Sequence, residues 1–143
     1  MEWAALITLI LTAGGGFVLL ATWLARGGMQ QRESGRIRPP LILSHFLLAA
    51  TGLVLWIVYV LTDSDALAWI AFVLLAIVAA LGLTMFALWA RQRQRARATA
   101  ATAPAEPAVP AEQHFPVAIV GLHGLLAVTT VVLVLLTALE IGE

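Results

Sequence analysis

The chain has no cysteine. That excludes disulfides, thiolate metal sites, iron–sulfur clusters, covalent c-type haem attachment and cysteine nucleophiles, and it leaves histidine, carboxylate or backbone groups to hold any cofactor. Charge is scarce too, at 11% of 143 residues, and all eight basic side chains are arginine. No basic segment precedes the first apolar run, so that run is not read as a cleaved signal peptide. What the chain has in excess is apolar surface: 62% hydrophobic residues and a mean hydropathy of +0.97. A soluble domain of this length leaves too much of itself exposed to hide so much. The composition therefore points to the bilayer as solvent.

Four apolar runs, residues 3–25, 41–62, 66–90 and 115–139, contain no Asp, Glu, Lys or Arg. About 20 residues cross a hydrocarbon core of about 30 Å, and each run is longer than that. The fold expected is all-α: an integral membrane four-helix bundle forming one domain. The arginines fall into two clusters, Arg26 to Arg38 and Arg91 to Arg97, while Glu2, Asp63, Asp65, Glu140 and Glu143 flank the opposite ends of the runs. By the positive-inside rule, the loops 26–38 and 91–113 face the cytoplasm and both termini lie outside. The expected location is the plasma membrane of a bacterium, the Ala, Pro and Thr bias of residues 98–113 fitting a GC-rich genome. That stretch reads as a flexible, polyproline-like linker, and the arginines before it suit anionic lipid head groups. Nucleic acid is not an expected partner. Trp3, Trp23, Trp69 and Trp89 lie near span ends and read as interfacial anchors. Trp56 and Tyr59 read as core, and Gly14-Gly15-Gly16 as a packing feature.

The second and fourth runs align without a gap. His45-Phe46-Leu47-Leu48-Ala49-Ala50-Thr51 lies over His123-Gly124-Leu125-Leu126-Ala127-Val128-Thr129, and the match continues to Leu55 and Leu133. Apolar matches are cheap between membrane spans, but the histidine and threonine matches are not. The first and third runs both end in a tryptophan shortly before an arginine, Trp23 to Arg26 and Trp89 to Arg91. The chain thus reads as two tandem two-helix repeats, related by a pseudo-twofold axis along the membrane normal.

Ionisable groups inside a span are expensive and are functional candidates by default. His45 lies 18 residues before Asp63 and His123 lies 17 before Glu140, so at about 1.5 Å per residue the two are level within a couple of ångströms. On helices running the same way, both imidazoles can face the bundle axis. One turn and two turns on lie Ala49 and Gly52 on one helix, Ala127 and Thr130 on the other, small enough to leave a slot for a flat macrocycle. Arg26, Arg36, Arg38 and Arg91, with His114 at the boundary, are candidates to meet carboxylates at the cytoplasmic edge. Two histidines without Asp, Glu or Cys at their depth make a poor zinc site.

In this layout the chain resembles the four-helix membrane cytochromes b, in which histidines on different helices ligate haem within the bundle. The resemblance covers all four spans, and its specific part is the pair His45 and His123. It implies one haem b per chain, with these histidines as axial ligands of the iron; three histidines allow no second bis-histidine haem. The function implied is electron transfer, as a membrane oxidoreductase or an electron-transfer subunit of one. The partners implied are a quinone, further subunits of a redox complex, or a second copy of the chain. The alternative reading is a non-catalytic accessory or assembly subunit without cofactor.

Overall fold

The computed structural model describes residues 1–30, 37–99 and 109–141. It is all-helical: α1 Glu2–Ala25, α2 Pro39–Thr62, α3 Asp65–Thr99, a short 3-10 helix Ala111–His114, and α4 Val117–Ala138. Each of the four α-helices is long and apolar enough to cross a membrane. The linker expected over residues 98–113 lies largely outside the described residues, though its last part forms the 3-10 helix.

The helix ends follow from local chemistry. Pro39 and Pro40 occupy the first turn of α2, where a missing N–H costs nothing, and Pro116 caps the start of α4. Gly27, with φ +74°, ends α1: its N–H bonds Leu24 O and the N–H of Gly28 bonds Trp23 O, the paired bonds of a Schellman cap. The same two bonds close α4 through Glu140 and Ile141, with Glu140 at φ 56°. Asp63, at φ 52°, turns the chain from α2 into α3.

The helices pack in a ring. The most extensive contacts join α1 to α4 and α2 to α3, with α3–α4 and α1–α2 closing it; α1 faces α3, and α2 faces α4, across the diagonals. Toward the acidic end the core is Ala5, Leu9, Trp56, Tyr59, Ala68, Ala71, Leu75 and Val134. The outward surface is apolar, with Leu47, Leu61, Leu83 and Leu125 all well over half exposed. An apolar exterior of this extent is what lipid contact requires.

At the arginine end the bundle is closed by a cap. The 3-10 helix packs on α1 and α3. Its Ala111 and Glu112 are buried, and Glu112 O accepts the indole N–H of Trp89 at 3.0 Å. The Glu112 carboxylate accepts a long bond, 3.5 Å, from the N–H of Ile37 just before α2. Trp23 and Trp89, expected at the interface, are instead buried, at 1% and 6% exposure, while Trp3 and Trp69 are exposed. The reason is the chain that follows each: Gly28 lies close against the Trp23 indole, and the 3-10 helix packs on Trp89. A Cβ on Gly28 would lie 2.1 Å from an indole carbon of Trp23. Gly28→Ala is therefore expected to destabilise by about 1–3 kcal/mol, the usual cost of overpacking, read as a lower apparent Tm in detergent. Gly14→Ala, where an added methyl meets nothing within 4 Å, is the matching control.

Candidate functional site

His45 and His123 are each the seventh residue of their helices, counted from Pro39 in α2 and Val117 in α4. Helices on one diagonal, started at one level by prolines, bring these positions together. The two imidazole centroids are 6.3 Å apart, with 66° between ring planes. The pair sits between the acidic-end core and the cap, and both side chains are half-buried.

Each ring is tied at the same atom. His123 Nδ1 lies 2.9 Å from Thr12 O on α1, and His45 Nδ1 lies 3.1 Å from Val78 O on α3. A carbonyl can only accept, so Nδ1 carries a hydrogen in both rings, and in the neutral imidazole Nε2, on the far side of the ring from that carbonyl, keeps its lone pair. This is the posture of a metal-ligating histidine, whose other nitrogen donates to a carbonyl and so fixes the tautomer and raises basicity.

Several buried positions of the two halves correspond. A shift of 78 residues carries His45 onto His123 and buried Gly52, Trp56 and Tyr59 onto buried Thr130, Val134 and Thr137. A shift of 66, the one that superposes Trp23 and Trp89, carries Thr12 onto Val78, and buried Ala5 and Leu9 onto buried Ala71 and Leu75. It also carries Gly16 onto Gly82. A Cβ on Gly16 would lie 3.2 Å from His123 Cε1, and one on Gly82 would lie 3.2 Å from His45 Cε1.

The remaining candidates are distributed as follows. Ala49 and Ala127 are half-buried, one turn past the histidines. Gly52 is closed against α3, its missing Cβ 2.7 Å from Leu75 Cδ2. Thr130 is buried with its hydroxyl 3.4 Å from that of Thr12. Both positions thus serve helix–helix contacts. Arg26, Arg38 and Arg91 are exposed at the arginine end; Arg36 lies outside the described residues. His114 is in the 3-10 helix, half-buried, its Nδ1 enclosed without a hydrogen-bond partner among the described residues. Sequence reasoning missed the anchoring carbonyls, the close approach of Gly16 and Gly82 to the two rings, and buried Glu112. The signal for Gly82 was available, since extending the Trp23–Trp89 alignment backwards pairs it with Gly16.

Among the described residues no group of three or more His, Asp or Glu is placed to hold a metal ion. A porphyrin brings four nitrogens of its own and asks the protein for only two ligands. Two imidazoles bound to one metal at about 2.0 Å each would have ring centres about 6 Å apart. The 6.3 Å between His45 and His123 is of that size. Comparison with known protein families, characterised proteins and solved structures returns no match.

Proposed function

We propose that this chain is a membrane b-type haem protein that passes electrons, with His45 and His123 as the axial ligands of one haem per chain. The observation that carries the proposal is the imidazole pair. Two rings on diagonal helices stand 6.3 Å apart, each with its Nδ1 proton committed to a backbone carbonyl. A purely structural histidine needs no such matched partner at the spacing two axial ligands require.

When bound, the haem supplies a one-electron iron couple. The residues supply the rest. The carbonyls of Thr12 and Val78 hold the tautomer that leaves Nε2 free. Buried Trp23, Trp89 and Ile37, with the 3-10 helix, shield the histidine layer from water at the arginine end. Arg26, Arg38 and Arg91 provide positive charge there for the haem carboxylates. A quinone or a neighbouring redox subunit is the proposed exchange partner. The correspondence of buried positions supports reading the bundle as two copies of a two-helix unit about a pseudo-twofold axis along the membrane normal, with the haem on that axis.

The test is a reduced-minus-oxidised spectrum of the purified chain from haem-replete cells. A Soret band with a sharp α-band, at one haem per chain, is expected; haem-free protein would leave the accessory-subunit reading in its place.

The proposed orientation puts both arginine-bearing loops in the cytoplasm of a bacterium and both termini outside. Because the chain has no cysteine, single replacements report sidedness cleanly. Ser64→Cys is expected to react with an impermeant maleimide added to intact cells, and Gln94→Cys only after permeabilisation. The reverse pattern would invert the topology.

A further inference from the structure

We infer that Gly16 and Gly82 are positioning residues for the two imidazoles: each uncovers, on its own helix, the carbonyl four residues earlier, and that carbonyl captures the Nδ1 proton of the histidine opposite. The inference deepens the haem reading and rests on it for its purpose, while the geometry itself involves only this chain.

A helical carbonyl normally accepts from the N–H four residues on and keeps a second lone pair that is hard to reach. Side chains lean toward the helix N-terminus, so the residue at i+4 lies over the turn that holds carbonyl i. Glycine at i+4 removes that cover. Thr12 with Gly16, and Val78 with Gly82, have this spacing, and these are the two carbonyls the histidines reach, at 2.9 and 3.1 Å. The rings fill the space the glycines leave open. A Cβ on Gly16 would approach His123 Cε1 to 3.2 Å and Nδ1 to 3.7 Å; one on Gly82 would approach His45 Cε1 to 3.2 Å and Nδ1 to 3.8 Å. The same cradle is built twice, by different helices, around the only two histidines within the α-helices. The glycine run of α1 is therefore not a uniform packing stripe. A Cβ on Gly16 would meet the ring edge at Cε1, one on Gly15 would lie at ordinary contact distance, 3.4 Å from His123 Cβ and 3.5 Å from its Nδ1, and one on Gly14 would meet nothing within 4 Å.

The full-length chain, labelled with 15N-histidine and held in lipid nanodiscs, tests this by NMR, with His114→Gln used to assign the third ring. Long-range 1H–15N couplings distinguish Nδ1–H from Nε2–H rings. The wild type is expected to show His45 and His123 as Nδ1–H tautomers with slowly exchanging protons. Gly16→Ala is expected to disturb His123 alone, mixing its tautomers and speeding proton exchange about tenfold, the effect of one lost hydrogen bond. Gly82→Ala should do the same to His45 alone. Gly14→Ala should leave both rings unchanged. Alanine favours the helix over glycine, so these variants are expected to fold; Gly16→Ser and Gly82→Ser serve as second replacements of similar size. Rings unaltered by Gly16→Ala and Gly82→Ala, or altered equally by Gly14→Ala, would overturn the inference. Haem uptake is scored separately in the wild type and bears on the haem reading alone, because the tautomer result needs no haem.

Discussion

His45→Ala and His123→Ala are each expected to yield a chain that inserts and folds but carries no stoichiometric haem. The size of the effect follows from coordination. Disturbing a residue that merely orients a metal ligand typically costs 10–100-fold in affinity, and removing the ligand itself costs more. The fold loses much less. Each imidazole makes one hydrogen bond to a backbone carbonyl, worth about 0.5–1.5 kcal/mol net, and both side chains are only half-buried. Helical circular dichroism should therefore persist while the Soret band is lost. The two variants should behave alike, since each ring has the same anchor, the same facing glycine and the same place in its helix. A variant that keeps full haem would show that its histidine is not a ligand.

Trp56→Ala should have the opposite profile, with a large loss of stability and a retained site. Trp56 is fully buried, packs on Tyr59 at 4.7 Å between ring centres, and donates its indole N–H to Glu2 O at 3.3 Å, pinning the start of α1 to α2. Truncating a buried tryptophan usually costs about 3–5 kcal/mol. In lipid the loss is one of van der Waals packing rather than of transfer from water, so the lower part of that range is expected. Val134, its counterpart under the 78-residue shift, is much smaller, so Trp56 is the largest side chain of the acidic-end core. The histidines lie three turns away and on the other side of that core, so haem taken up in the cold should keep its spectrum. Unfolding in a graded detergent mixture should show an early transition for Trp56→Ala and none for Leu61→Ala, whose side chain is 77% exposed.

The two profiles mirror how the sequence could be read. The four long apolar helices were legible because uncharged runs of more than 20 residues have few other uses, and their ends because prolines and charges mark them. The level of His45 and His123 was legible as well, since a helix converts residue counts into distance. Their ring posture was not. It depends on which helix lies beside which, and on carbonyls of Thr12 and Val78 that leave no trace in residue type. Gly82 went unread because a lone glycine in a membrane helix is common, and only its pairing with Gly16 gives it meaning. Trp23 and Trp89 were read from their place near span ends, whereas burial was decided by the loop and the 3-10 helix that fold back over them. That short helix lies in an Ala/Pro-rich stretch whose composition suggests a tether, and its order comes from tertiary contacts at Glu112, Trp89 and Ile37.

The central claim, one haem iron held between His45 and His123, is tested most directly by pulsed electron paramagnetic resonance of the oxidised protein labelled with 15N-histidine. The account predicts a low-spin ferric signal with hyperfine coupling to two histidine nitrogens, and loss of that signal in each single histidine variant. A high-spin signal, coupling to a single imidazole, or a low-spin signal unchanged in His45→Ala and His123→Ala would contradict it.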